Sequence, residues 1–93
     1  MIRSFRGLEA ARIWRGEFSR RLPQDIQDRA LRKLRQLDAS ATLNDLRSPP
    51  GNRLEALKDD RQGQMSIRIN DQWRICFEWD NGDAINVEIA DYH

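Results

Sequence analysis

The sequence predicts a small α+β domain in which an antiparallel sheet is covered on one face by two N-terminal helices, in βααβββ order. Three observations predict it. Residues 65–69, 73–79 and 85–89 alternate apolar and polar side chains, the period-two pattern of strands with one buried face. Residues 26–41 instead repeat apolar residues every three or four positions, the period of a helix. A length of 93 residues, with 39% hydrophobic and 33% charged, suits one soluble domain with a modest core.

Taken in order, residues 1–5 (MIRSF) read as a short strand. Leu8, Ala11 and Trp14 then share one face of a short helix that Gly16 stops. In residues 22–40 the apolar stripe is Ile26, Ala30, Leu34 and Leu37, continued by Ala41, and Pro23 sits in the first turn. The opposite face of that helix carries Arg29, Arg32, Lys33 and Arg35. Residues 42–64 are rich in turn formers: a helical turn over 43–46, a corner at Ser48-Pro49-Pro50-Gly51, and an extended run over 53–57. Three strands follow, and their apolar sides should meet the helices. Trp73, Phe77 and Trp79 are therefore read as core rather than as a base-stacking platform. No repeat, low-complexity tract or linker interrupts residues 1–93, which are read as a single domain.

The register follows from keeping apolar residues on one face, because a slip of one residue flips them all. A loop of Asn70, Asp71 and Gln72 sets Ile67 opposite Ile75 and Arg68 opposite Arg74. Like charges directly opposite destabilise a sheet, so an anion bound between them is the expected reason for the pair. In the next hairpin Asn81-Gly82 suggests a two-residue turn, but that register breaks the face rule. Trp79 opposite Ile85 keeps it, and brings Arg74 opposite Ala90. Tyr92 shares the parity of Ala90 and so falls on the arginine face. There the expected partner of Arg74 is substrate rather than protein.

Charge is uneven although the net charge is +1. Residues 1–35 hold ten Arg/Lys against four acids, while residues 76–93 hold five acids and no Arg or Lys. Of the 16 basic residues only Lys33 and Lys58 are lysine. The arginine fork suits phosphate or carboxylate, so a phosphate-bearing or acidic partner is indicated beside the plainer reading of solvated helix faces. A single cysteine, Cys76, excludes an internal disulfide and a cysteine zinc cluster, and no metal or cofactor is expected. No apolar run approaches the roughly 20 residues of a membrane span. The start lacks a signal-peptide core, so no membrane partner and a cytoplasmic location are expected.

The last strand carries the only tyrosine and the only histidine, Tyr92 and His93, with Asp91 beside them, toward Arg68 and Arg74. Lys58 arrives from the preceding loop. Cations can hold a phosphate and its developing charge. Tyr, His or Asp can move protons to and from a ribose 2′-OH and a leaving oxygen, since an unperturbed imidazole titrates near 6.5. Such a set suits metal-free RNA cleavage.

At these residues the chain resembles the HigB-type toxins of the RelE/ParE superfamily. The resemblance is carried by residues 1–5, by "LRSPPGNRLEALKDDRQGQMSIRINDQWRICFEW" at 46–79, and by "GDAINVEIADYH" at 82–93. It implies a RelE-like, microbial-ribonuclease-like fold and a toxin that cleaves translated mRNA in the ribosomal A site. It implies neutralisation by a helix-turn-helix, HigA-like antitoxin, with operator DNA reached only through that antitoxin. By the same resemblance Arg74 belongs at the scissile phosphate, and Asp91, Tyr92 and His93 are implicated in catalysis. Lys58, Arg61, Arg68 and Glu55 would contact substrate, Glu55 standing where some cleaving members have a histidine. A gyrase-directed poison on the same fold and a non-catalytic RNA- or partner-binding module remain open alternatives.

Overall fold

The computed structural model describes residues 1–91; Tyr92 and His93 lie outside the described residues. Two helices, α1 (Leu8–Trp14) and α2 (Gln24–Ala39), precede four strands: β1 (Glu55–Ala56), β2 (Met65–Arg68), β3 (Trp73–Asp80) and β4 (Asp83–Asp91). The strands form one antiparallel sheet in the order β1-β2-β3-β4. The α+β class, with both helices against one face of the sheet, is as the sequence predicts. Residues 1–5 are not a full strand. They run parallel to β4 through two isolated bridges, Ile2 with Ala84 and Phe5 with Val87. The extended run at 53–57 pairs over only Glu55 and Ala56.

α2 forms where the apolar stripe predicts, and Ile26, Ala30, Leu34 and Leu37 are buried. Ala41 is exposed, contrary to expectation, because the helix ends at Ala39. Its backbone N–H instead serves the next turn, donating to Asp45 Oδ2 at 2.9 Å beside the Thr42–Asp45 capping box. α1 is rotated from the expected face. Ala10 and Ile13 are buried and Leu8 is 65% exposed, with Trp14 half-buried against the core. In a seven-residue helix two apolar faces fit the spacing equally well, and the tie is broken by Ile13 joining the core of α2 and the sheet. Gly16 terminates α1 as expected, with φ of 81° in the left-handed region where glycine carries no Cβ penalty. The core between helices and sheet gathers Leu34, Leu37, Ile67, Ile75, Phe77 and Val87, all fully buried, with Trp73 and Trp79 packed at its margin.

The first hairpin has the predicted register: Ile67 pairs with Ile75 and Arg68 with Arg74. The second corrects the prediction. Asp80 pairs with Asp83 across the two-residue Asn81-Gly82 turn, so Trp79 meets Ala84 and not Ile85. Both turn residues have positive φ, 51° and 87°, the geometry for which Asn-Gly is favoured. The register then shifts between Cys76 and Glu78 by one residue, and Arg74 still meets Ala90. A β-bulge absorbs the extra residue near Asn86, whose φ is 52°. Turn chemistry sets one end of the hairpin and the buried face sets the other.

Candidate active site

Arg74 comes from the middle sheet strand β3, and its Cα partner Arg68 from β2. Directly paired residues point to the same face, here the face away from the helices. That face is not bare. Beyond β1 the chain turns over it: Leu57 packs there with Cys76 and Ala90 in a second small apolar cluster, and Arg61 reaches Glu88. Arg74 is consequently only 8% exposed.

The expectation that Arg74 has no protein partner is therefore corrected. Its Nε donates to Ser66 Oγ at 2.7 Å, and its Nη2 donates to the Arg53 carbonyl at 2.6 Å and the Ser66 carbonyl at 3.4 Å. Glu55 Oε1 stands 3.6 Å from the same Nη2, on a side chain that is 51% exposed. Burial takes an arginine out of water only when such acceptors replace it. The result is a guanidinium held in orientation by neutral oxygens, with the exposed Glu55 carboxylate at its rim.

The structure does not bring all of the other expected residues to this centre. Arg61 Nη1 reaches Glu88 Oε1 at 2.5 Å and Gln64 Oε1 at 3.1 Å. Arg61, Glu88, Arg74 and Glu55 all act on the Cys76 thiol, which burial pushes above its ordinary value more than the two arginines lower it. Lys58 is exposed at the start of the short turn Asp59–Arg61. Arg68 pairs with exposed Asp71. Asp91 stands opposite Trp73, so alternation assigns its side chain to the other face from Arg74, and its Oδ2 accepts from Gln72 Nε2 at 3.2 Å. The expected roles of Tyr92 and His93 lie outside the described residues.

Ser66, Glu88 and the Arg53 carbonyl were not among the expected site residues. Ser66 and Glu88 share the arginine face by strand parity, Ser66 and Glu88 both being Cα partners of Cys76. That parity was the available signal. The Arg53 carbonyl had none, since it depends on the left-handed turn at Arg53, φ 45°. Chemically, the centre offers a preoriented planar cation, with Arg68 opposite it on β2 and the exposed Glu55 carboxylate 3.6 Å away.

The profile of the HigB-like toxin family, described as RelE-like toxin of type II toxin–antitoxin system HigB, matches residues 3–93. The chain is 46% identical over 68 residues to Toxin HigB-1 of Vibrio cholerae, covering 73% of this chain and 72% of that protein. It is 31% identical over 93 residues to Endoribonuclease HigB of Proteus vulgaris, covering 100% of both. A YoeB–YefM complex from Staphylococcus aureus contains a chain with the same fold, at a TM-score of 0.57 and 17% identity, covering 100% of this chain and 98% of that one. The match along residues 3–93, with a full-length relative at 31% identity, establishes that the chain belongs to the HigB-like toxins, RelE-like toxins of type II toxin–antitoxin systems.

Proposed function

We propose that this toxin is an endoribonuclease that cuts translated mRNA in the ribosomal A site without a metal, and so arrests translation and growth. The observation that carries the reading is the Arg68–Arg74 pair, two like charges directly opposite on one sheet face, an arrangement that costs the fold and suits a bound phosphate. The relative matched along its whole length, Endoribonuclease HigB of Proteus vulgaris, supports the same chemistry.

In this reading the ribose 2′-oxygen attacks the adjacent phosphorus while the bond to the 5′-oxygen breaks. A base within the Glu55, Tyr92 and His93 group takes the 2′ proton, and an acid of that group returns one to the leaving oxygen, while Asp91, on the other face by alternation, takes no part in the transfer. The products are a 2′,3′-cyclic phosphate and a 5′-hydroxyl. Arg74 carries the charge that develops on the non-bridging oxygens. Its fixed orientation against Ser66 and Arg53 means little reorganisation accompanies the reaction. Lys58, Arg61 and Arg68 hold flanking phosphates. A helix-turn-helix, HigA-like antitoxin neutralises the toxin in the cytoplasm, and operator DNA is engaged only through that antitoxin.

Expression of the toxin followed by mapping of transcript 5′ ends tests this. Cuts within translated frames, absent when ribosomes are blocked, are the expected outcome. Intact transcripts with arrested DNA replication would overturn it in favour of a gyrase poison. His93→Gln should slow cleavage about 10²–10⁴-fold, the usual worth of one acid–base group; an unchanged rate would remove His93 from the mechanism.

A further inference from the structure

A second concentration of positive charge lies around the edge of the sheet from Arg74. The cleft between α2 and the turn joining β2 to β3 has a volume of about 520 Å³ and is lined by Arg29, Arg32, Lys33 and Arg68, with Asp71 the one acid among its described lining residues. The three α2 cations fall at positions i, i+3 and i+4 of one helix face, where like charges repel. Folding does not require that grouping. The Lys33 ammonium is held below its ordinary value, first by burial and then by the guanidinium groups of Arg29 and Arg32.

The acceptors that position these cations are mostly neutral. Arg29 Nη1 donates to the Ile69 carbonyl at 3.2 Å, and Lys33 Nζ donates to Asn52 Oδ1. Asn52 is itself fully buried, and its Nδ2 donates to the Leu46 carbonyl at 3.1 Å and Gln36 Oε1 at 3.2 Å. The charges are thus oriented without being cancelled. The exception is Arg68, whose partner Asp71 is 95% exposed; so exposed an ion pair is weak and easily exchanged for a stronger anion.

Arg68 also joins the two regions. It lines the cleft and is the Cα partner of Arg74. β1 pairs with β2 only at Met65 and Ser66, so it does not extend along β2 as far as Arg68. A positive track therefore runs from the Arg74 centre past Arg68 into the cleft.

We propose that this cleft is a second anion site that takes successive backbone phosphates of an RNA strand whose neighbouring segment lies at Arg74. The course of the strand rests on the ribonuclease reading; the anion site does not. Arginine forks fit phosphate and carboxylate alike, but among the described residues the lining offers no aromatic anchor of the kind that dominates protein–protein contacts. A sequence-independent hold on phosphates, with a strong salt dependence, is what such a lining provides.

The test is titration of the toxin into a short fluorescein-labelled 2′-O-methyl RNA, which lacks the 2′-hydroxyl and cannot be cut. Wild type is compared with Arg29→Gln/Arg32→Gln and with Arg12→Gln/Arg20→Gln, a control that removes the same charge elsewhere. Losing two phosphate contacts should lower the salt slope by about 1.4 and weaken binding roughly 25-fold at about 0.1 M salt. The control should bind within about twofold of wild type, since distant exposed charges are largely screened at that salt. Should the double variant not fold, Arg32→Gln alone is expected to weaken binding roughly fivefold. Equal weakening in the cleft and control variants would reduce the effect to net charge and overturn the site. So would absence of RNA binding by wild type, or cleft-dependent binding of an acidic peptide that RNA does not displace. Cleft-dependent binding with no transcript cleavage in cells would uphold the site while removing the ribonuclease reading.

Discussion

Arg74 has two loyalties, and its substitution separates them. The guanidinium donates to Ser66 and to the Arg53 carbonyl, and in the proposed mechanism it also offers the reaction its positive charge. Hydrogen bonds from charged groups contribute about 1.5–3 kcal/mol, and partners left unsatisfied add to the loss. Arg74→Ala should therefore cost about 2–3 kcal/mol of stability by urea denaturation and lower cleavage about 10²–10³-fold, the scale for one charge-stabilising donor. A variant as stable as wild type would mean that these bonds do not hold the residue. Cys76 gives a second residue-scale test. It is fully buried, and desolvation raises its thiol above the ordinary value of 9.0. A raised pKa means the folded chain holds that proton more tightly. This contribution to stability is complete below about pH 9, and it declines as pH rises through the folded value. The thiol should resist iodoacetamide at pH 8 in the folded toxin and react in denaturant, because the thiolate is the nucleophile. Rapid labelling of the folded form would contradict its burial.

At the scale of elements, the bulge in β4 lets the tight Asn81-Gly82 turn and the Arg74–Ala90 pairing coexist. Asn86 has φ of 52°, its Nδ2 donates to Glu78 Oε2 at 2.7 Å, and its backbone N–H donates to Ser4 Oγ at 2.8 Å. Asparagine tolerates that conformation and a β-branched residue does not. Asn86→Val should cost about 1–3 kcal/mol, read as a lower urea midpoint, while Asn86→Gly should cost less; equal losses in the two would dissociate the effect from backbone conformation. The bulge also marks how far the sequence could be read. The period-two strands, α2 and the Arg68–Arg74 pair were legible because burial on one face enforces parity. The Asn81-Gly82 turn and the parity of Arg74 looked incompatible. They are reconciled by one inserted residue, for which an isolated Asn86 gives no distinct signal. The face of α1 was ambiguous for a different reason, its short length. The segment over Arg74 was the least legible part, since it follows from irregular turns and the left-handed Arg53 rather than from any period.

For the whole molecule, the last structural decision is how the two ends of the chain meet. Ile2 and Phe5 bridge to Ala84 and Val87, and four backbone bonds tie the pairing: Arg3 N to Ala84 O at 2.8 Å, Arg6 N to Val87 O at 2.9 Å, Ala84 N to Met1 O at 2.9 Å, and Val87 N to Ser4 O at 3.0 Å. The segment reaches the helices as well. Ile2 N donates to Asp38 Oδ1 of α2 at 2.8 Å, and the Phe5 ring lies 6.4 Å from that of Trp14 in α1. Residues 1–6 thus close the outer edge of β4 and bind both helices to it. An open edge presents unpaired backbone groups that recruit other chains. Hydrogen bonds net about 1 kcal/mol each, and half-burial of Ile2 and Phe5 adds to this, for about 4–8 kcal/mol in all. That approaches the roughly 5–15 kcal/mol by which small domains are stable. A chain beginning at Gly7 should therefore lose its cooperative thermal transition and aggregate in light scattering, although every expected active-site residue is retained. Phe5→Ala, which keeps the backbone pairing, should remain folded with a lower midpoint. If the chain lacking residues 1–6 melts cooperatively within a few degrees of the intact toxin, the sheet is closed by β4 alone, and the N-terminal segment is only an appendage.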